Sequence, residues 1–191
     1  METERLRLFV ALELSEAARE SLIDWRSGTL RGTPELRPVT PESLHVTLCF
    51  LGSQRAEVVK EISAACEAAV AGAGSAELAF AAALWLPPRR PRVLAVRLDD
   101  ISGALARVQG AISAALADGG WYAPEKRPFL PHVTVARVPA RARVRSTELP
   151  KLPPLTFAAP AVTLYRSRLQ RSGARYQTLA SVPLNDRERE A

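Results

Sequence analysis

The chain has 191 residues, 47% of them hydrophobic, and a formal net charge of +6 from 26 basic and 20 acidic side chains. That length suits one domain with a substantial core, and no apolar run reaches the roughly 18 to 20 residues of a membrane-crossing helix. Met1-Glu2-Thr3-Glu4-Arg5 has no signal-peptide layout, and Cys49 and Cys66 are too few for a disulfide framework, so a soluble, cytoplasmic protein is expected.

In chain order, Leu6-Arg7-Leu8-Phe9-Val10-Ala11-Leu12 alternates as an opening strand, and Ser15 can cap a helix through Ala17, Leu22, Ile23 and Trp25. After the proline break at Pro41-Glu42-Ser43, Leu44 to Leu48 reads as a half-buried strand. Glu57 to Val70 carries apolar residues at helical spacing and stops at Gly72-Ala73-Gly74. Strands at Leu78 to Leu84 and Val93 to Leu98 flank a turn at Pro87-Pro88-Arg89-Arg90-Pro91. A further helix, about Ile101 to Ala117, ends at Gly119-Gly120. Pro128-Phe129-Leu130-Pro131 introduces the strand His132 to Val135, and an arginine-rich, proline-bounded stretch follows from Ala140 to Pro154. Strands near Leu155 to Leu164 and Tyr176 to Leu184 close the chain, and the polar tail 185–191 is expected to fray.

Only two histidines occur, and both sit in the same frame: His45-Val46-Thr47-Leu48 and His132-Val133-Thr134-Val135. On a strand, residues two apart share a face, so each motif presents an imidazole beside a hydroxyl while its apolar neighbours turn to the core. Histidine titrates near neutral pH and can both take and give a proton. Two such pairs brought together would frame a small anion. One motif alone is common by chance, and a lone histidine is readily explained as a hydrogen-bonded core residue. Two motifs 87 residues apart, each on a strand within a similar run of elements, point to two related halves. The expected fold is α+β: two pseudo-symmetric lobes of antiparallel sheet, helices outside, and a central cleft with one motif per lobe. The whole forms a single bilobal domain over 1–184.

Of the basic residues only Lys60, Lys126 and Lys151 are lysines. Arginine holds phosphate in bidentate fashion, so the excess favours a polyanionic partner. For any single arginine a hydrated surface is the better explanation. Lys126 and Arg127 are candidates to line the cleft, with hydrated loop charges the better reading, and Arg141, Arg143 and Arg145 either guide a longer nucleic acid or stay hydrated.

The paired motifs resemble the two-histidine phosphoesterase superfamily. Their surroundings resemble its RNA 2′,3′-cyclic phosphodiesterase branch, also called 2′-5′ RNA ligases. The matching runs are Arg7-Leu8-Phe9-Val10-Ala11, Ser43-Leu44-His45-Val46-Thr47-Leu48 into Phe50-Leu51-Gly52, and Arg127-Pro128-Phe129-Leu130-Pro131-His132-Val133-Thr134-Val135-Ala136-Arg137. Leu164-Tyr165-Arg166-Ser167 and Gly173-Ala174-Arg175-Tyr176 resemble the family's closing strands. The resemblance implies hydrolysis of RNA 2′,3′-cyclic phosphate ends to 2′-phosphates, with His45 as proton donor, His132 as proton acceptor and the hydroxyls of Thr47 and Thr134 as donors to the phosphate. It implies no metal and no cofactor, and its expected partners are RNA ends such as tRNA halves or related nucleotides, met by a monomer away from membranes. It also implies that Phe9 stacks on the terminal base, against a core role for an apolar strand residue, and that Arg137 contacts base or phosphate. Arg137 lies five residues after His132, so reaching the same face requires a bulge or twist. Cys49 falls at a site-facing position where the family often carries a basic or small residue.

Two other readings stand beside this one. The same fold could act on another cyclic nucleotide or a 2′-5′ oligonucleotide, or the motifs could bind an RNA end without turning it over. A metal hydrolase would need three or more closely spaced His, Cys or carboxylate ligands, and the motifs bring no such cluster.

Overall fold

The computed structural model describes residues 4–170 and 173–184, so the polar tail expected to fray lies outside the described residues. The elements run β1 (Arg5–Glu13), α1 (Glu16–Leu30), β2 (Arg37–Pro38), β3 (His45–Arg55), α2 (Val59–Val70), β4 (Glu77–Leu86), β5 (Val93–Asp100), α3 (Ala104–Asp118), β6 (His132–Arg137), β7 (Thr156–Ala158), β8 (Ala161–Gln170) and β9 (Gly173–Pro183). The nine strands form one curled antiparallel sheet, in the order β7-β4-β5-β6-β3-β1-β8-β9, with β2 added beside β6. The two expected lobes are therefore halves of a continuous sheet, β7-β4-β5-β6 and β3-β1-β8-β9, with the helices outside.

Local chemistry sets the element ends. Ser15 caps α1, its hydroxyl accepting from the Ala18 N–H at 3.3 Å, and Ala18, Leu22 and Arg26 form the buried stripe four residues apart. α2 repeats that spacing with Ile62, Cys66 and Val70. α3 starts three residues later than the apolar pattern suggests, because Gly103 takes a left-handed φ of 68°. The Asp100 carboxylate then accepts from the Ala106 N–H at 2.9 Å. The run near Leu155 to Leu164 is two strands rather than one. Pro160 interrupts it, and β7 joins β4 in one half while β8 joins β1 in the other. The core lies beneath both halves, with Leu8, Leu12, Leu22, Leu44, Leu94 and Leu105 all essentially inaccessible to solvent.

The halves meet through one residue pair, Val46 opposite Val133. Both valines are fully buried. Antiparallel register then sets each histidine opposite the other motif's threonine, 45 against 134 and 47 against 132, all four on the face opposite the valines.

Both histidine strands carry a bulge three residues after the histidine. In β3, Ala11 pairs with Thr47 and Val10 with Cys49, which leaves Leu48 unpaired against β1. In β6, Ala95 pairs with Thr134 and Leu94 with Ala136, which leaves Val135 unpaired against β5. Each bulge reverses the in-and-out alternation beyond it. The carbonyl of Val135 accepts from the Val39 N–H at 3.0 Å and from the Arg26 guanidinium at 3.2 Å. Arg26 also donates to the Val39 carbonyl. Buried at 6% exposure and reaching from α1, Arg26 clamps the bulge and the segment beside it.

Replacing Arg26 with the similarly long, apolar methionine (Arg26→Met) should lower unfolding free energy by about 1 to 3 kcal/mol, because the half-buried Val39 carbonyl loses its donor and the buried Val135 carbonyl loses one of its two. Urea unfolding measures this directly, and an unchanged midpoint contradicts the clamp.

Candidate active site

At the junction of the two halves lies a cavity of about 340 Å³. Its floor carries both motifs, His45 with Thr47 and His132 with Thr134. β1 contributes Arg7 and Phe9, the bulged ends of β3 and β6 contribute Phe50 and Arg137, and the β8 and β9 hairpin walls one side with Ser167, Leu169, Ala174 and Tyr176.

His45 sits on aromatic support. The Phe9 ring lies 5.0 Å from the imidazole centroid and stacks on Tyr165 at 5.2 Å, while Tyr176 meets Phe9 edge-on at 4.9 Å and His45 edge-on at 5.3 Å. At one end of the motif, Nε2 of His45 is 3.2 Å from the Thr47 hydroxyl. The chain leading into β3 is held by Arg19, which donates to the Pro41 carbonyl at 2.5 Å and to the Leu44 carbonyl at 3.4 Å. Tyr165 in turn donates to Glu13 at 3.2 Å, and Glu13 also accepts from the buried Thr163 hydroxyl at 2.5 Å.

Burial pushes the His45 imidazolium down from 6.5 to about 4, and the positive charges of Arg137 and Arg19, with that of His132 whenever it is protonated, act in the same direction against a hydrogen bond to the Ser43 backbone. His45 is therefore neutral at pH 7 in the empty cavity. His132 is held differently: its Nδ1 donates to the Leu130 carbonyl at 2.8 Å, which leaves Nε2 as the ring nitrogen with a free lone pair.

The structure brings six of the eight sequence-selected residues to the cavity: His45, Thr47, His132, Thr134, Phe9 and Arg137. Arg137 arrives through the Val135 bulge, the distortion its spacing requires. Phe9 is only 3% exposed, with its ring against three aromatic neighbours, so its geometry is that of a support beneath His45. Lys126 and Arg127 do not line the cavity. They stand on the exposed loop before β6, where Arg127 lies 3.7 Å from Glu125. Cys49 also departs from expectation. The Leu48 bulge turns it into the core at 1% exposure, where burial pushes its thiol up to about 12. The residue gained by that inversion is Phe50, 44% exposed in the cavity with the Arg7 guanidinium 4.6 Å above its ring. Phe50 comes five residues after His45, as Arg137 does after His132, and that shared offset is the signal that could have found it.

Among the described residues, no three His, Cys, Asp or Glu side chains cluster as metal ligands, and no helix is long and apolar enough to cross a membrane. A curled antiparallel sheet in two related halves, with a histidine and threonine pair from each, defines a two-histidine phosphoesterase. The profile of the 2′-5′ RNA ligase superfamily matches residues 15–171, and the chain belongs to this RNA 2′,3′-cyclic phosphodiesterase and 2′-5′ RNA ligase family. It is 31% identical to the RNA 2′,3′-cyclic phosphodiesterase of Escherichia coli over 182 residues, which span 93% of this chain and 96% of that protein. The corresponding protein of Aeropyrum pernix is 31% identical over 157 residues, 79% of this chain and 87% of that one. The crystal structure of E. coli LigT complexed with 3′-AMP superposes with a TM-score of 0.75 at 30% identity, covering 95% of this chain and 99% of that one. A Thermus thermophilus crystal structure superposes with a TM-score of 0.80 at 25% identity, covering 95% and 100%.

Burial of a neutral His45 also makes stability depend on pH. The unfolded chain takes up the proton near pH 6.5 and the folded chain only near 4, so the stability present above pH 6.5 declines as pH falls and levels off below 4. The shift bounds this loss at about 3 kcal/mol. Denaturant unfolding from pH 7 to 4 should therefore show a shallower decline for His45→Gln than for the parent chain, and parallel curves would contradict the burial of a neutral His45.

Proposed function

We propose that the chain hydrolyses RNA 2′,3′-cyclic phosphate ends to 2′-phosphomonoesters by acid and base catalysis from His45 and His132. The observation that carries this reading is the pairing of two imidazoles and two hydroxyls from opposite halves around one cavity lined by Arg7 and Arg137. A cyclic phosphodiester carries one negative charge, and the cavity offers that charge donors on several sides: the Thr47 and Thr134 hydroxyls and the guanidinium of Arg137.

In this reaction the Nε2 lone pair of His132 takes a proton from water as the water oxygen bonds to phosphorus. The bond from phosphorus to the 3′ oxygen breaks, and the departing oxygen receives a proton from Nε2 of His45. The product is a 2′-phosphate beside a free 3′-hydroxyl, and exchange with solvent resets both rings. The tautomer fixed by the Leu130 carbonyl supports the role of His132 as base. Its partner must be charged to act as acid. The bound phosphodiester supplies the anion that raises the His45 pKa from its depressed value in the empty cavity. No step calls for a metal. If a 5′-hydroxyl of a second RNA replaces water, the same proton transfers give a 2′-5′ linkage; in dilute solution water prevails.

Incubation with an RNA oligonucleotide ending in a 2′,3′-cyclic phosphate, with EDTA present, should yield a 2′-monophosphate by phosphorus NMR. A 3′-monophosphate would reverse the direction of ring opening, and no product would favour another cyclic or 2′-5′ substrate, or binding without turnover. Loss of activity to EDTA, restored by zinc, would replace the mechanism with a metal-dependent one. His45→Ala and His132→Ala should each lower kcat about 10² to 10⁴-fold while RNA binding persists, and undiminished turnover in either would remove that histidine from the chemistry.

A further inference from the structure

Beyond the cavity, two exposed segments converge into a second, wider groove of about 1190 Å³. One wall is the turn between β4 and β5, with Arg89, Arg90 and Arg92; the other is the stretch after β6, with Arg141, Arg143 and Arg145. The remaining lining is proline, alanine, valine and serine. No carboxylate faces the groove, and none of the six arginines takes part in an ion pair among the described residues.

Six like charges in one groove repel one another, and the fold holds the walls together regardless. The Ser146 hydroxyl donates to the Pro88 carbonyl at 2.6 Å, and the Val138 N–H donates to the Arg92 carbonyl at 2.8 Å. Behind the second wall, the Trp85 indole donates to the Thr147 carbonyl at 3.0 Å and the Trp25 indole to the Lys151 carbonyl at 3.1 Å. This wall lacks helix and strand but is tied at several points. Its arginines fall at every second position, so in extended backbone they project from one side.

Chain connectivity brings the groove close to the cavity: the second wall begins three residues after Arg137, at Ala140. Arg137, which lines the cavity, pairs with Val93 beside Arg92 on one edge and with Arg37 on the other.

We propose that this arginine groove binds the phosphate backbone of an RNA strand, on the 5′ side of the end held in the cavity. The proposal rests on the reading given under Proposed function for which end of the strand enters the cavity. The lining chemistry defines the recognition. Guanidinium groups bind phosphates in bidentate fashion, whereas the groove has no aromatic ring on which to stack a base and no Asn or Gln to read a base edge. Binding there depends on charge and strand length and is indifferent to sequence. The preferred substrate is accordingly an oligonucleotide rather than a cyclic mononucleotide.

The test compares the parent chain with the triple variant Arg141→Gln, Arg143→Gln, Arg145→Gln. Affinity for a fluorescent RNA of about ten nucleotides ending in a 3′-hydroxyl, a length within single-strand site sizes, is measured by anisotropy across a salt series. The variant should bind at least about tenfold more weakly, with the slope of log affinity against log salt reduced by about two, since each lost phosphate contact removes about 0.7. In turnover assays it should raise KM for the matching 2′,3′-cyclic oligonucleotide and leave kcat/KM for a nucleoside 2′,3′-cyclic monophosphate unchanged. Unaltered RNA affinity and salt slope would overturn the groove, as would anionic vesicles binding through these arginines with no RNA affinity. Because anisotropy uses an RNA that cannot react, it decides the groove even if the parent chain turns over neither cyclic substrate, a result that would overturn the phosphodiesterase reading instead.

Discussion

The site depends on β3 and β6 lying antiparallel and meeting through the single pair Val46 and Val133. Two valines cannot leave the core without exposing apolar surface, so the pair is fixed by burial, and period-two alternation then fixes the neighbours. His45, Thr47, His132 and Thr134 must share one face. A slip of one residue on either strand would bury an imidazole and expose a valine. The local two-fold arrangement around that pair relates the two imidazoles across a common point, the layout that the proposed displacement at phosphorus requires.

The bulges complete the arrangement. Each leaves the motif undisturbed and inverts only the residues beyond it, so Arg137 reaches the cavity from one half and Phe50 from the other. A backbone carbonyl exposed by such a distortion needs a partner inside the protein. Val135 finds two, one of them the buried guanidinium of Arg26. Beneath His45, aromatic packing excludes water and favours the neutral ring over the charged one. The same packing makes the cavity responsive to an anion: in a desolvated place, one negative charge shifts a titrating group more than it would in water.

Much of this was legible in the sequence because it arises from local pattern. The two motifs, their strands, the capped first helix and the proline and glycine boundaries all express short-range rules, and the similar order of elements around each histidine exposed the two halves. The bulges were less accessible. The spacing of Arg137 demands one in β6, but nothing in Leu48-Cys49-Phe50 announces one in β3, so the resemblance sets Cys49 toward the cavity and leaves Phe50 without a role. The partner choice of β7 and β8 was also hidden, since strand pairing is decided by packing across the chain. Lys126 and Arg127 lie close to His132 in sequence, but the exposed loop that carries them lies outside the cavity. The arginines at 89, 90 and 92 became meaningful only when the fold set them across from 141, 143 and 145.

The catalysis proposed for this pair turns on a His45 that is neutral in the empty cavity and that a bound phosphate anion would charge. Nitrogen-detected NMR titration of the imidazoles, in the parent chain alone and with a nucleoside 2′-monophosphate bound, reads this directly. Burial predicts a pKa of about 4 for His45 in the empty protein, and the proposed mechanism predicts an upward shift on binding. A His45 that titrates near 6.5 in the empty protein would contradict its burial as a neutral ring, and one whose pKa stays put when the nucleotide binds would contradict the mechanism.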